Sequence, residues 1–129
     1  MTNAELIERF ESSAACSDSF HHADHVRLAF AYLSENPPLQ ALEKFTAALK
    51  RFAAARGKPG LCHETITHAY FFLIRERMAR ASTESWEDFA RHNGDLLEWK
   101  GGVLSRYYNE ATLESELARK VFLFPDKNL

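Results

Sequence analysis

A chain of 129 residues has the size of one ordinary domain, which excludes large architectures such as an eight-fold α/β barrel. Its 46% hydrophobic and 26% charged residues exclude a disordered chain, and a core of this size needs no disulfide or metal to staple it. Sixteen basic residues against eighteen acidic ones, a formal charge of −2, exclude a protein whose main work is coating nucleic acid or an anionic membrane, though not a local basic patch.

The opening residues, Met1 to Arg9, lack the charged head and the apolar run of roughly 7–15 residues that make a secretory signal. The longest apolar run, Ala69 to Ile74, closes at Arg75 after six residues, far short of the roughly 18 of a membrane helix. Cys16 and Cys62 form no Cys-x-x-Cys pair, which suits a reducing compartment and gives a cytoplasmic expectation.

In chain order, apolar residues recur at three- and four-residue intervals and nothing alternates with period two, so the expectation is an all-α, compact single-domain bundle of about five to seven helices over residues 1–129. Residues 3–12 put Leu6, Ile7 and Phe10 on one face. A second helix follows Ser17, Asp18 and Ser19, carries Val26, Ala29, Phe30 and Leu33, and stops at Asn36-Pro37-Pro38. A third, residues 39–56, stripes Leu42, Phe45, Leu49, Phe52 and Ala53 and ends at Gly57, a residue suited to a left-handed cap. After Lys58-Pro59-Gly60 the fourth and most apolar helix spans residues 62–81. The fifth carries Trp86, Phe89 and Ala90, is capped by Ser85 or Thr83, and ends at Asn93-Gly94. Residues 95–108 and 111–121 form two short helices broken by Gly101-Gly102, and Phe122 to Asp126 pack as an extended tail.

The composition is unusual in its histidines, five of six falling in two clusters: His21, His22 and His25, then His63 and His68. Both clusters open helices. Stepping about 100° per residue around a wheel puts His22 and His25 on the inward stripe of the second helix, His21 at its edge, and Asp24 and Arg27 away from it. On the fourth helix His63 lies near the centre of the inward stripe with Ile66, Tyr70, Leu73, Ile74 and Arg77, while Glu64 and His68 share a flank with Phe71.

Several buried imidazoles need partners, and a divalent metal can satisfy a group of them at once. His22 with His25, or His21 with His25, has the i,i+3 or i,i+4 spacing that brings two ring nitrogens to one point. His63 and Glu64 complete a two-His or three-His set with a carboxylate. The cofactor expected is therefore a divalent ion, Zn, Fe or Mn, with His21, His22, His25 and His63 as ligands and Glu64 and Asp24 as acid–base groups beside metal-activated water or oxygen chemistry. Sharper templates fail. His63 to His68 is one residue too long for His-Glu-x-x-His, and Glu-x-x-His does not occur.

Phe20, His22, His25 and Val26, then His63-Glu64-Thr65-Ile66-Thr67, Asn93, Asp95-Leu96-Leu97, Arg106-Tyr107-Tyr108 and Phe124-Pro125-Asp126, together resemble a family of small uncharacterised bacterial all-helical proteins. The resemblance runs from Phe20 to the C-terminus and implies that these segments act as a set. No activity comes with it.

Other constellations are weaker. Cys62 and His63 diverge by about 100° as adjacent helical residues, badly placed for a thiol nucleophile. Asp24 and Glu64 equally suit first-turn acids that favour the helix dipole, and Thr65 and Thr67 can bond their own backbone or hold a second shell. Lys50, Arg51, Arg56, Lys58, Arg75, Arg77 and Arg80 permit a helix-turn-helix reading that the charge balance disfavours. Arg77, inward-facing, needs an anion, which is either a structural carboxylate or the acidic group of a bound molecule. Trp86, Trp99, Tyr107 and Tyr108 either line a pocket or fill the core. The leading expectation is a metal-dependent hydrolase, lyase or oxygenase acting on a small molecule. Its rivals are a non-catalytic helical domain that binds a ligand or protein through core histidines, and a DNA-binding regulator. No membrane partner is expected, nucleic acid is disfavoured, and a homo-oligomer is compatible with the chain.

Overall fold

A computed structural model describes residues 1–12, 20–57, 62–81, 85–99 and 102–127. Among them eight helices and one 3-10 turn follow in order and no strand forms: α1 (Asn3–Glu11), α2 (His22–Glu35), α3 (Pro38–Ala55), α4 (Glu64–Ala81), α5 (Trp86–His92), α6 (Gly94–Leu97), a 3-10 turn (Val103–Arg106), α7 (Glu110–Leu113) and α8 (Glu116–Lys120). The all-α expectation holds, with five helices of seven residues or more. Expectations resting on Cys16, Ser17–Ser19, Lys58-Pro59-Gly60, Thr83 and Gly101 fall outside the described residues.

Local chemistry sets the long helices. Thr2 and Glu5 exchange bonds with each other's backbone N–H at 3.1 and 3.2 Å, a capping box that starts α1. Asp24 reaches back from the first turn of α2 to the His21 N–H at 2.8 Å. Pro37 and Pro38 end α2 and open α3, whose first turn tolerates a missing N–H. Gly57 takes φ +66 just beyond α3, where a side chain would be strained. Ser85 caps α5 by accepting the Asp88 N–H at 3.2 Å.

The bundle is organised around α2. Val26, Leu28, Ala29, Phe30, Ala31 and Tyr32 are all buried, so α2 is covered on more than one face, by α1, α3, α4 and α6. Ala41, Ala48 and Ala53 of α3 are also buried, and their small side chains let the helices approach closely. Arg27, expected to point away, is half-buried: it donates to Asn3 at 2.7 Å and lies over the Trp86 ring at 5.2 Å.

The C-terminal third departs from expectation. The described residues between 94 and 120 are divided into short pieces, and Gly94 opens α6 instead of ending α5 alone. Long-range polar contacts hold these pieces. Arg77 grips Asp95 with two bonds of 2.9 and 2.8 Å and donates to Asn93 at 2.9 Å. Thr65, fully buried, donates to the Val121 carbonyl at 2.9 Å and accepts the Leu123 N–H at 3.0 Å. Tyr108 donates to the Leu123 carbonyl at 2.7 Å. Asp126 accepts the Asn109 N–H at 2.9 Å and the Thr112 hydroxyl, closing a hook around the start of α7.

Candidate functional site

Between α2 and α4 lies a cavity of about 780 Å³. Its α2 wall is chiefly His22, His25, Val26 and Ala29 and its α4 wall chiefly His63, Ile66, Thr67, Tyr70 and Ile74, with Ala23 and Phe71 beside them. Each set has the i, i+3, i+4, i+7 spacing of one helix face, so two stripes of a wheel become two walls of one space. Phe20, His21 and Trp99 stand at its margin, and Arg119 adds a guanidinium from α8.

The four histidines of the expected site all line this cavity, but their nitrogens do different things. His63 is engaged at both: Nδ1 accepts the Ile66 N–H at 3.1 Å and Nε2 donates to the Leu113 carbonyl at 2.7 Å. It caps α4 with its side chain, which is why that helix begins at Glu64 instead of Cys62. His22 donates from Nε2 to the Leu96 carbonyl at 2.8 Å, which leaves Nδ1 as the lone pair. Its ring packs 4.5 Å from Tyr70 and 5.2 Å from Trp99. Burial lowers its pKa, opposed by the Leu96 bond.

His25 has a ring partner and no hydrogen-bond partner among the described residues. Its imidazole lies tilted 4.5 Å from the Phe20 ring, which in turn bridges Phe10 and Phe52 at 5.2 and 5.0 Å. Burial, helped by the nearby His22 and opposed by Asp24, pulls the His25 pKa down to about 4. The ring is therefore neutral at physiological pH and keeps one donor and one acceptor. His21 lines the rim and is exposed.

The expected acid–base and anion-binding groups lie elsewhere. Asp24 is exposed and is used by the His21 N–H. Glu64 turns to Lys50 at 3.8 Å and His68 at 3.6 Å. Arg77 is committed to Asp95, with Arg106 a further 3.6 Å from the same carboxylate, so its anion is the structural one. Cys62 is a half-buried thiol whose pKa is raised by burial. Among the described residues, no group of three His, Cys, Asp or Glu side chains is arranged to hold an ion.

Other groups escaped the sequence reading. Tyr70 is buried, makes no hydrogen bond through its hydroxyl among the described residues, and has its pKa pushed up to about 12 by burial and by Asp95. Its place on the His63 stripe was the available signal. Arg119, 56 residues beyond His63 in sequence, carried none. Of the four aromatics proposed for a pocket, Trp99 lines the cavity. Trp86 packs on Phe30 and Phe89, Tyr108 is core, and Tyr107 borders a separate apolar hollow of about 180 Å³. The chain matches no family model, no curated protein and no solved structure.

Proposed function

We propose that the protein binds a small organic molecule in the cavity between α2 and α4, with the His25 imidazole as the polar group that the molecule meets. The observation that carries this reading is a half-buried, neutral imidazole on a cavity wall with nothing among the described residues to bond. A polar group buried without a partner costs about 1–3 kcal/mol, so a molecule that covers this ring is favoured when it also meets one of its nitrogens. The volume lies within the range of roughly 300–1,000 Å³ typical of small-molecule sites. The mostly apolar walls, with a few convergent polar groups, suit such a site. The half-buried free thiol of Cys62 fits a reducing, cytoplasmic setting.

Fragment screening by NMR tests it. A binder is expected to shift the His25 ring resonances saturably and to lose most of its affinity in His25→Phe. If every fragment that raises the melting temperature leaves those resonances still, the reading fails.

A second reading keeps a divalent ion, Zn, Fe or Mn, on His22 and His25. The His22–Leu96 bond favours it, because metal-ligating imidazoles usually donate their other N–H to a carbonyl or carboxylate. Such an ion would supply activated water or oxygen chemistry, with the remaining positions taken by solvent or substrate. Elemental analysis of tag-free protein separates the two: stoichiometric metal lost in both His22→Ala and His25→Ala supports the ion, and none after dialysis against these salts removes it.

A further inference from the structure

We infer that two copies of this chain pair through the face that the tail, residues 122–125, forms with the outer side of α4, the Phe124 ring of each copy entering the apolar hollow of the other. A knob and a hole of matching size lie side by side on this face.

The hole is the hollow of about 180 Å³ bordered by Phe72, Leu73, Leu104, Tyr107, Phe122 and Pro125. An apolar cavity of about 150 Å³ holds one benzene ring, so this space has room for one phenyl group. Glu76 is its one charged lining residue among those described, and Arg80 pairs with that carboxylate at 2.8 Å. The α4 residues that border it are a different set from those that wall the cavity, so the two spaces open off different faces of one helix.

The knob is Phe124, 82% exposed. Its ring meets Phe122 edge-on at 5.7 Å, and its chain neighbours Phe122 and Pro125 border the hollow, while its own ring stands in solvent. The backbone on both sides of it is tied down. Before it, the Leu123 N–H donates to Thr65 and the Leu123 carbonyl accepts from Tyr108. After it, the Asp126 and Lys127 N–H groups both reach the Tyr107 carbonyl, at 3.1 and 3.0 Å. The ring is therefore presented with little backbone freedom left to lose on association.

Adjacency of knob and hole selects a second copy as the partner. A two-fold axis running beside Phe124 puts each ring over the other copy's hollow and closes the contact at two chains. The area agrees with a reversible pair. Phe72 and Phe122 are 46% and 37% exposed, and at roughly 200 Å² for a whole aromatic side chain the three rings present on the order of 300 Å² per copy. Apolar atoms make up about 57% of such interfaces, so the face as a whole buries roughly 1,100 Å² between two copies, where specific but transient pairs lie.

Sedimentation velocity of the full chain from about 10 μM to about 1 mM tests this. A reversible monomer–dimer equilibrium is expected. Phe124→Asp is expected to weaken it at least about tenfold and to leave the melting temperature of dilute protein in place, since the ring removed is exposed. In a mixture of isotope-labelled and unlabelled chains, NOEs filtered for contacts between copies are expected from the Phe124 ring to the Leu73 and Leu104 methyls. Should Phe124→Asp lower the melting temperature, the NOEs of the unsubstituted chain decide alone. A chain that stays monomeric at the highest concentration leaves the face to a different partner and overturns the inference. A dimer that Phe124→Asp leaves intact, a dimer without those NOEs, or association that runs past two chains overturns it equally.

Discussion

His22, His25 and His63 share a chemistry and diverge in use because of what stands opposite each ring nitrogen. His63 is spent on structure, so His63→Leu should strand the Ile66 N–H and the Leu113 carbonyl and cost about 1–3 kcal/mol. Urea denaturation would show this as a lowered midpoint, and an unchanged midpoint would contradict the capping role. His25 makes the opposite prediction, on pH. Its folded pKa of about 4 lies below the ordinary 6.5, so as pH falls through 6.5 the unfolded chain takes up a proton that the fold refuses. Stability is complete above that pH and is lost between 6.5 and 4, by roughly 3 kcal/mol at about 1.4 kcal/mol per pH unit. His22 is shifted in the same direction. His25→Phe should flatten most of this acid limb in melts recorded across the range, and a limb unchanged by the substitution would refute it. Helical spacing alone carried these three residues to one cavity, since it needs only the 3.6-residue turn. The state of their nitrogens was not legible, because the deciding carbonyls, Leu96 and Leu113, come from 74 and 50 positions away.

Helices with their own caps and stripes, α1 to α5, could be read within a residue or two. The pieces after Gly94 could not, because they owe their form to distant partners. Thr65 shows why: a threonine in the first turn of a helix usually bonds locally, yet this one serves two backbone groups of the tail. Thr65→Val keeps the shape and removes both bonds, and should cost about 1–3 kcal/mol. Hydrogen exchange at the Leu123 amide should accelerate sharply while amides in the middle of α2 stay protected; equal protection of Leu123 in both proteins would count against the staple. Arg77 and Asp95 play the matching part for α6, whose Leu96 carbonyl holds His22. Asp95→Asn should cost about 1 kcal/mol, as befits a partly exposed ion pair, and should speed exchange of the His22 ring proton. An unaltered ring proton would show that the ion pair does not position His22.

For the molecule as a whole, the governing fact is a central helix whose middle turns, Val26 to Tyr32, are covered by its neighbours. Ala31, with no exposed surface, leaves no room to grow, and Ala31→Leu should destabilise by about 1–3 kcal/mol through overpacking. Circular dichroism and tryptophan fluorescence should still report coincident transitions, since Trp86 packs on Phe30 of α2 and Trp99 against His22 at its start. Separate transitions would mean that the short C-terminal helices melt on their own.

The long reach of His63 and Thr65 also has a consequence in time. Their partners at Leu113, Val121 and Leu123 are synthesised only after α2 to α6 are complete. A growing chain complete through α6 has both helices that face the cavity, but the α4 wall has not yet received the carbonyls that fix its opening turn. The opening turn of α4 is therefore fixed only once residues 113 to 123 have emerged, well after the helical framework can form.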